Sequence, residues 1–191
     1  MKKILVICLS VFLLVGCSLN KNTPTKKVEE LFKKYQNLDN AVLDDLELVV
    51  EGTTLTTDYQ KTTYTNIMKM QYSDLKYTIE DETVNGDDAT VKAKITVYDF
   101  YKAQKDAESY KSTHESEFLT NDSYDNDKFM DYKLKSMQNT TDRVEYTIEI
   151  NLTKEDGSWK VSPLDKTTLE KIHGTYNYEQ EWSSQVKIDT L

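Results

Sequence analysis

The chain is poor in the residues that staple, punctuate or cradle: 2 Cys, 2 Pro and 5 Gly among 191 residues. So few cysteines allow at most one disulfide, and stability must come from an ordinary core. The few glycines are little material for a phosphate cradle. No Gly-x-Ser-x-Gly elbow, Gly-rich phosphate loop or Cys–His pairing is visible, which argues against hydrolase and kinase chemistry. An excess of base is missing too. The chain has 24 Lys and Arg against 33 Asp and Glu, a formal charge of −9, so it lacks the clustered cations that nucleic-acid binding requires. What is present suits a globular fold: 38% hydrophobic residues and 10% aromatic, with 13 Tyr, are too many for a disordered chain. The length suits one domain.

The N-terminus opens on Met1-Lys2-Lys3 and an apolar run from Ile4 to Val15 interrupted only by Ser10. A run of that length is too short to span a bilayer, which takes about 20 residues, and has the length of a secretory h-region. It ends in Leu14-Val15-Gly16-Cys17, which resembles a bacterial lipobox. The resemblance implies that residues 1–16 are a lipoprotein signal peptide, that cleavage falls between Gly16 and Cys17, and that the Cys17 thiol carries the lipid. Cys8 is then discarded with the signal, and Cys17 is the only mature cysteine, so no intrachain disulfide can form. Losing Lys2 and Lys3 leaves 22 basic and 33 acidic residues, a net charge of −11. Anionic headgroups repel such a body, so the lipid does the holding. Residues 17–23 form a short lipid-anchored tether, about 20 Å when extended. The expected location is the extracytoplasmic face of the cell membrane.

Residues 24–173 read as one α+β domain. Thr23-Pro24 starts a helix whose apolar stripe is Val28, Leu31, Phe32, Tyr35 and Leu38. Val42, Leu43 and Leu46 carry a second helix to about Val50, before Gly52, and a third is expected from about Thr57 to Met70, burying Tyr59, Thr63, Ile67 and Met70. The period then changes to two. Leu75, Tyr77 and Ile79 precede an Asn85-Gly86-Asp87 turn, after which Val91, Ala93, Ile95 and Val97 alternate with polar residues. This is an antiparallel hairpin with one wet face. Helices follow over about 101–118 and 126–137, separated by a polar loop over 120–125. A second hairpin alternates through Val144, Tyr146, Ile148, Ile150 and Leu152, turns at Asp156-Gly157, and returns with Trp159 and Val161. Asp165 caps a short helix that Gly174 stops. The tail over 174–191 has no clear period. Met70-Gln71 and Met137-Gln138 each precede a Tyr-Thr-Ile-Glu strand and a Gly turn. That echo fits either a duplicated helix-plus-hairpin unit or two hairpins of one sheet obeying the same rules.

The lead-in Thr23-Pro24-Thr25-Lys26-Lys27-Val28-Glu29, the hairpin through Gly86-Asp87 and the ending Asp156-Gly157-Ser158-Trp159-Lys160-Val161 together resemble small Firmicutes-type lipoproteins with a nuclear-transport-factor-like, or cystatin-like, domain. The resemblance implies a curved four-stranded antiparallel sheet packed on helices as a cone. Many relatives of this kind have no assigned biochemical role. The helices expected between the two hairpins depart from the usual pattern.

That superfamily includes ketosteroid-isomerase-like enzymes with an inward carboxylate as base. Asp99 shares parity with Val97 and Ile95, near the inward Tyr77 and Tyr146, and is the one weak catalytic candidate. The competing role is a helix N-cap, because a helix begins just after it. Tyr77, Tyr146 and Trp159 are the candidate ligand contacts, with core packing as the plainer role of each. The tail aromatics Tyr176, Tyr178 and Trp182 either add to the sheet or cover its mouth. Metal and cofactor are not expected. His114 and His173 stand far apart, and the run Asn121, Asp122, Asp125, Asp127 lacks the Gly and terminal Glu of a calcium loop. The expected function is non-catalytic: a surface binding or scaffold domain, membrane-attached through Cys17, for an envelope component or small ligand. An isomerase or dehydratase centred on Asp99 is the alternative.

Overall fold

The computed structural model describes residues 22–179. The predicted signal peptide over 1–16, the Gly16–Cys17 cleavage and lipidation site, most of the tether, and Trp182 lie outside the described residues.

Thr23 caps α1 (Pro24–Gln36) by accepting from the Lys26 N–H at 3.2 Å, and Pro24 occupies the first turn, where its missing N–H costs nothing. Val28, Phe32 and Tyr35 form its buried stripe. Asp39 caps α2 (Asn40–Glu51), which buries Val42, Leu46 and Val50. Thr57 caps α3 (Asp58–Ser73). Its buried face differs from the expected one: Gln60, Ile67, Met68, Gln71 and Tyr72 point inward, while Tyr59 is exposed and Thr63 and Met70 sit at the edges. The helix is turned by about one position because two of its core residues are glutamines, which an apolar search passes over.

The sheet follows the alternation closely. β1 (Lys76–Asn85) and β2 (Asp88–Tyr98) join through Gly86-Asp87, with Gly86 at φ 65°. A bulge lies between Ile79 and Asp81. α4 (Phe100–Thr113) comes next. The continuous helix expected over 101–118 stops at Thr113, and Glu115–Phe118 forms a separate 3-10 turn. The expected loop over 120–125 is instead a tight hairpin of β3 (Leu119–Thr120) and β4 (Ser123–Tyr124), with Asn121 and Asp122 at φ 50° and 59°. α5 (Asn126–Asn139), β5 (Arg143–Glu155), β6 (Ser158–Val161) and α6 (Lys166–His173) complete the described chain.

The four long strands form one antiparallel sheet in the order β1-β2-β5-β6. Facing residues on β2 and β5 pair inward (Val91 with Ile150, Ala93 with Ile148, Ile95 with Tyr146), whereas Lys92, Lys94, Glu145, Thr147 and Glu149 are exposed on the other face. The protein is therefore α+β: a four-stranded antiparallel sheet packed against helices. α4 and α5 also build a small core of their own, Ala107, Phe118 and Phe129 with Tyr110 and Tyr132, separate from the main cluster.

One junction holds α3, β2, α4 and α6 together. The Gln71 side chain is fully buried and pairs with both polar groups of one backbone residue: the Tyr98 N–H donates to Gln71 Oε1 at 2.8 Å, and Gln71 Nε2 donates to the Tyr98 carbonyl at 3.2 Å. Gly174, at φ 71°, lies against the same carbonyl, and the Tyr101 N–H donates to the Gly174 carbonyl at 2.8 Å. A Cβ on Gly174 would stand 2.1 Å from the Tyr98 oxygen. Gln71→Met keeps the volume and removes both hydrogen bonds, so it should lower stability by about 2–4 kcal/mol. Gly174→Ala should cost about 3 kcal/mol from overlap and positive φ together. Urea unfolding measures both, and an unchanged midpoint in either variant would deny the junction this role.

Candidate functional site

The amphipathic stripes of α1 and α2 leave a gap where the chain leaves β6 and enters α6. Leu31 and Tyr35 come from α1, Val42, Leu46 and Val49 from α2, Val161 from β6, Pro163 and Leu164 from the β6–α6 connection, and Leu169 from α6. They line a cleft of about 490 Å³. The cleft is within the size range of small-ligand sites and, like them, is mostly apolar with a few polar groups. A larger cleft of about 560 Å³ between α2 and α3 has Leu43, Leu46 and Val50 on its α2 wall and Glu47, Glu51, Lys61 and Lys69 among its polar lining. It carries four charged side chains where the smaller cleft carries only Asp45, so the smaller cleft is the better site for an apolar ligand.

The polar groups of the apolar cleft are Tyr72, His173, Tyr35, Asp45 and Ser162. The Tyr72 hydroxyl and His173 Nε2 are hydrogen-bonded at 3.0 Å, and Tyr35 meets the Tyr72 ring edge-on at 5.1 Å. Burial pushes His173 down to about 4. Burial, then the nearby Asp45 carboxylate, pushes the Tyr35 hydroxyl up to about 12. Tyr72 is pushed up as well, by burial first and then by Tyr35, Tyr64 and Asp45. Desolvation thus favours the uncharged form of each. The His–Tyr pair remains neutral around pH 7 and offers a fixed dipole. Neither group lies near the pKa that efficient proton transfer at that pH needs. In the sequence His173 stands out only as a possible metal ligand and Tyr72 falls beyond the expected end of its helix; the usable signal is the spacing of Tyr72, four from Met68 and one from Gln71 along α3.

The residues singled out from the sequence lie elsewhere. Asp99 caps α4, accepting from the Lys102 N–H at 2.9 Å and from the Tyr178 hydroxyl at 3.3 Å, and it lines none of the clefts described above. Tyr77 stacks on Phe32 at 4.5 Å between ring centroids, Tyr146 meets Tyr176 edge-on at 5.8 Å, and Trp159 is buried. These three candidate ligand contacts are in the core cluster or packed against it, and none lines the cleft. Of the tail aromatics, Tyr178 meets Tyr101 edge-on at 4.9 Å, so both described tail tyrosines close onto the domain. His114 stacks on Tyr110 at 3.9 Å. In the acidic run, Asp125 caps α5 and Asp127 accepts from Thr56 at 2.5 Å. Among the described residues no group of three or more His, Cys, Asp or Glu could hold a metal ion, and no helix is long and apolar enough to cross a membrane.

Two outcomes test these roles. Asn can still accept the Lys102 N–H, so Asp99→Asn should leave stability nearly unchanged, whereas Asp99→Ala should lose about 1–2 kcal/mol in urea unfolding; equal losses would contradict a capping role. For His173, the unfolded imidazole titrates near 6.5 and the folded one near 4. The unfolded state therefore binds more protons between those values. Stability should be full above pH 6.5 and fall by up to about 3 kcal/mol as pH drops to 4. His173→Gln, which cannot titrate, should flatten this part of the profile. Parallel profiles for the two proteins would show that the imidazole is not buried as described.

No protein-family model matches the chain, and no curated protein matches it. A crystal structure described as a "putative lipoprotein (ycdA)" from Bacillus subtilis is similar at 15% identity and a TM-score of 0.41, over 85% of this chain and 51% of that one. The chain thus spans about half the length of that protein.

Proposed function

We propose that the chain is a lipid-anchored lipoprotein of the extracytoplasmic membrane face, and that its α+β domain is a non-catalytic binding domain using the cleft between α1, α2 and α6. The anchor is supported by the basic start, the short apolar run and the Leu14-Val15-Gly16-Cys17 ending. The single observation that carries the binding reading is the neutral, mutually hydrogen-bonded Tyr72–His173 pair in the lining of an apolar cleft. Buried polar groups aimed into apolar surroundings give orientation to a ligand, while burial has moved both pKa values away from the range of acid–base work. Asp99 is used by the α4 cap and lines neither of the two clefts described, which supports the binding reading over the isomerase one. The nuclear-transport-factor-like character belongs to this proposal as well. It is supported by the helical lead-in and two adjacent hairpins in one sheet, and the separate α4–α5 core is the departure.

The full chain, produced in a bacterial host and moved into phosphatidylcholine nanodiscs, tests both parts. Mass spectrometry should find an N-terminal Cys17 bearing a diacylglyceryl group, and Cys17→Ser should abolish processing. Indole, a neutral apolar probe, should shift the methyl resonances of Val49 and Leu169 saturably, and Leu164→Trp should remove the shifts. An intact Met1 terminus overturns the anchor. Shifts that do not saturate, or that survive Leu164→Trp, overturn the cleft.

A further inference from the structure

α2 has an unusual outward face. Its twelve residues include Asp44, Asp45, Glu47 and Glu51 and no Lys or Arg, and its last turn has no cation to meet the carbonyl end of the helix dipole. None of these four acids is in an ion pair among the described residues. Lys61 and Lys69 line the α2–α3 cleft with Glu47 and Glu51, whereas no Lys or Arg lines the apolar cleft beside Asp45. Beside these acids the helix exposes apolar side chains: Leu48 is 67% exposed and Val49 36%. At helical spacing Leu48 lies three residues from Asp45 and four from Asp44 on one surface. Val49 lines the apolar cleft together with Asp45, and around the outer surface of α2 the order is Val49, Asp45, Leu48, Asp44, so cleft and helix crest make one strip in which two exposed apolar side chains alternate with two carboxylates.

We propose that this strip, α2 with the adjoining cleft, docks a basic amphipathic segment of a partner protein, whose apolar face covers Leu48 and Val49 and enters the cleft while its Lys or Arg side chains meet Asp44 and Asp45. The inference rests on the reading of the cleft as a binding site and specifies the occupant. Helix-in-groove recognition supplies the geometry, and charge complementarity selects the sign. A membrane surface is disfavoured by the same acids, which anionic headgroups repel. A second copy seated α2 against α2 would oppose carboxylate to carboxylate. The lysines of α6 leave the acids unanswered: Lys166 pairs with Glu170 at 3.6 Å, and Lys171 stands over the Tyr176 ring at 4.8 Å.

The test titrates an 18-residue helical peptide of Leu and Lys, with a Leu and Glu peptide of the same apolar face as control, onto the full chain in phosphatidylcholine nanodiscs, subtracting empty discs. The Lys peptide should bind with micromolar affinity. Asp44→Asn with Asp45→Asn should weaken it at least fivefold, and Leu48→Ser severalfold; Leu48 is exposed enough that the fold tolerates the change. Glu145→Gln with Glu149→Gln, which removes the same charge from the open sheet face, should alter it less than twofold. Equal binding of the Glu peptide overturns the inference, as does an equal loss from the sheet-face variant, peptide-free dimerisation through α2, or attachment of α2 to anionic vesicles. If indole still fills the cleft and the Lys peptide does not bind, this inference falls and the cleft reading stands; if neither binds, both fall.

Discussion

The Gln71 side chain does the work of a strand at the end of β2. β2 has β1 on one side and β5 on the other for most of its length, and at Tyr98 the chain must leave the sheet for α4. A backbone N–H and C=O buried there need partners. One carboxamide supplies both, because it carries donor and acceptor at the spacing of a peptide group. That pairing fixes α3 against β2, and Gly174 then fits only because it has no side chain. Around the same residue the chain's only arginine, Arg143, lies over the Tyr98 ring at 3.5 Å and pairs with Asp74 at the end of α3. Next along the chain, the Asp99 N–H donates to the Asp142 carbonyl at 2.9 Å. The starts of α4 and β5 and the ends of α3, β2 and α6 therefore share one hydrogen-bonded knot. His173, the residue before Gly174, is held against Tyr72, the residue after Gln71, by that knot.

Strands were legible in this sequence because alternation is a strong signal when one face is wet. Val91 to Val97 and Tyr146 to Leu152 match the pattern residue for residue. Turn chemistry was legible for the same local reason: Gly86, Gly157 and Gly174 all adopt positive φ. The helices were less so. α3 buries Gln60 and Gln71, each engaged by partners remote in sequence, and Gln60 Nε2 donates to Asp131 of α5 at 3.0 Å. No local rule marks a glutamine as core when its partner is 71 residues away. The tight turn at Asn121-Asp122 was hidden by its polarity, since Asn and Asp tolerate left-handed backbone without a glycine to announce it. The cleft was invisible because five separate elements build it, and because His173 and Tyr72 are 101 residues apart.

The point at which the chain enters the domain bears on how the cleft would be presented. Asn22 closes the outer edge of β6: its Nδ2 donates to the Gly157 carbonyl at 2.8 Å, and its Oδ1 accepts from the Trp159 N–H at 2.9 Å. A side-chain amide again takes the place of a strand, here protecting a sheet edge from pairing with another chain. Asn22 is five residues after Cys17, so under the proposed anchoring the β5–β6 turn is the end nearest the membrane, within about 20 Å of it. α1 leads away from that turn. At about 1.5 Å per residue, Leu31 and Tyr35 stand about 10 and 16 Å further along the helix axis from Pro24. β6 likewise begins at the turn and runs toward Val161, which lines the cleft. Two elements leaving the same end thus carry the cleft away from the anchored side, and a tether of a few residues is enough to expose it. A longer stalk would add reach and lose this orientation, because flexible linkers average over direction. Under the proposed anchoring, the Asn22 clasp therefore leaves the tether at one end of the domain and the cleft, with α1 and β6 leading to it, toward the other.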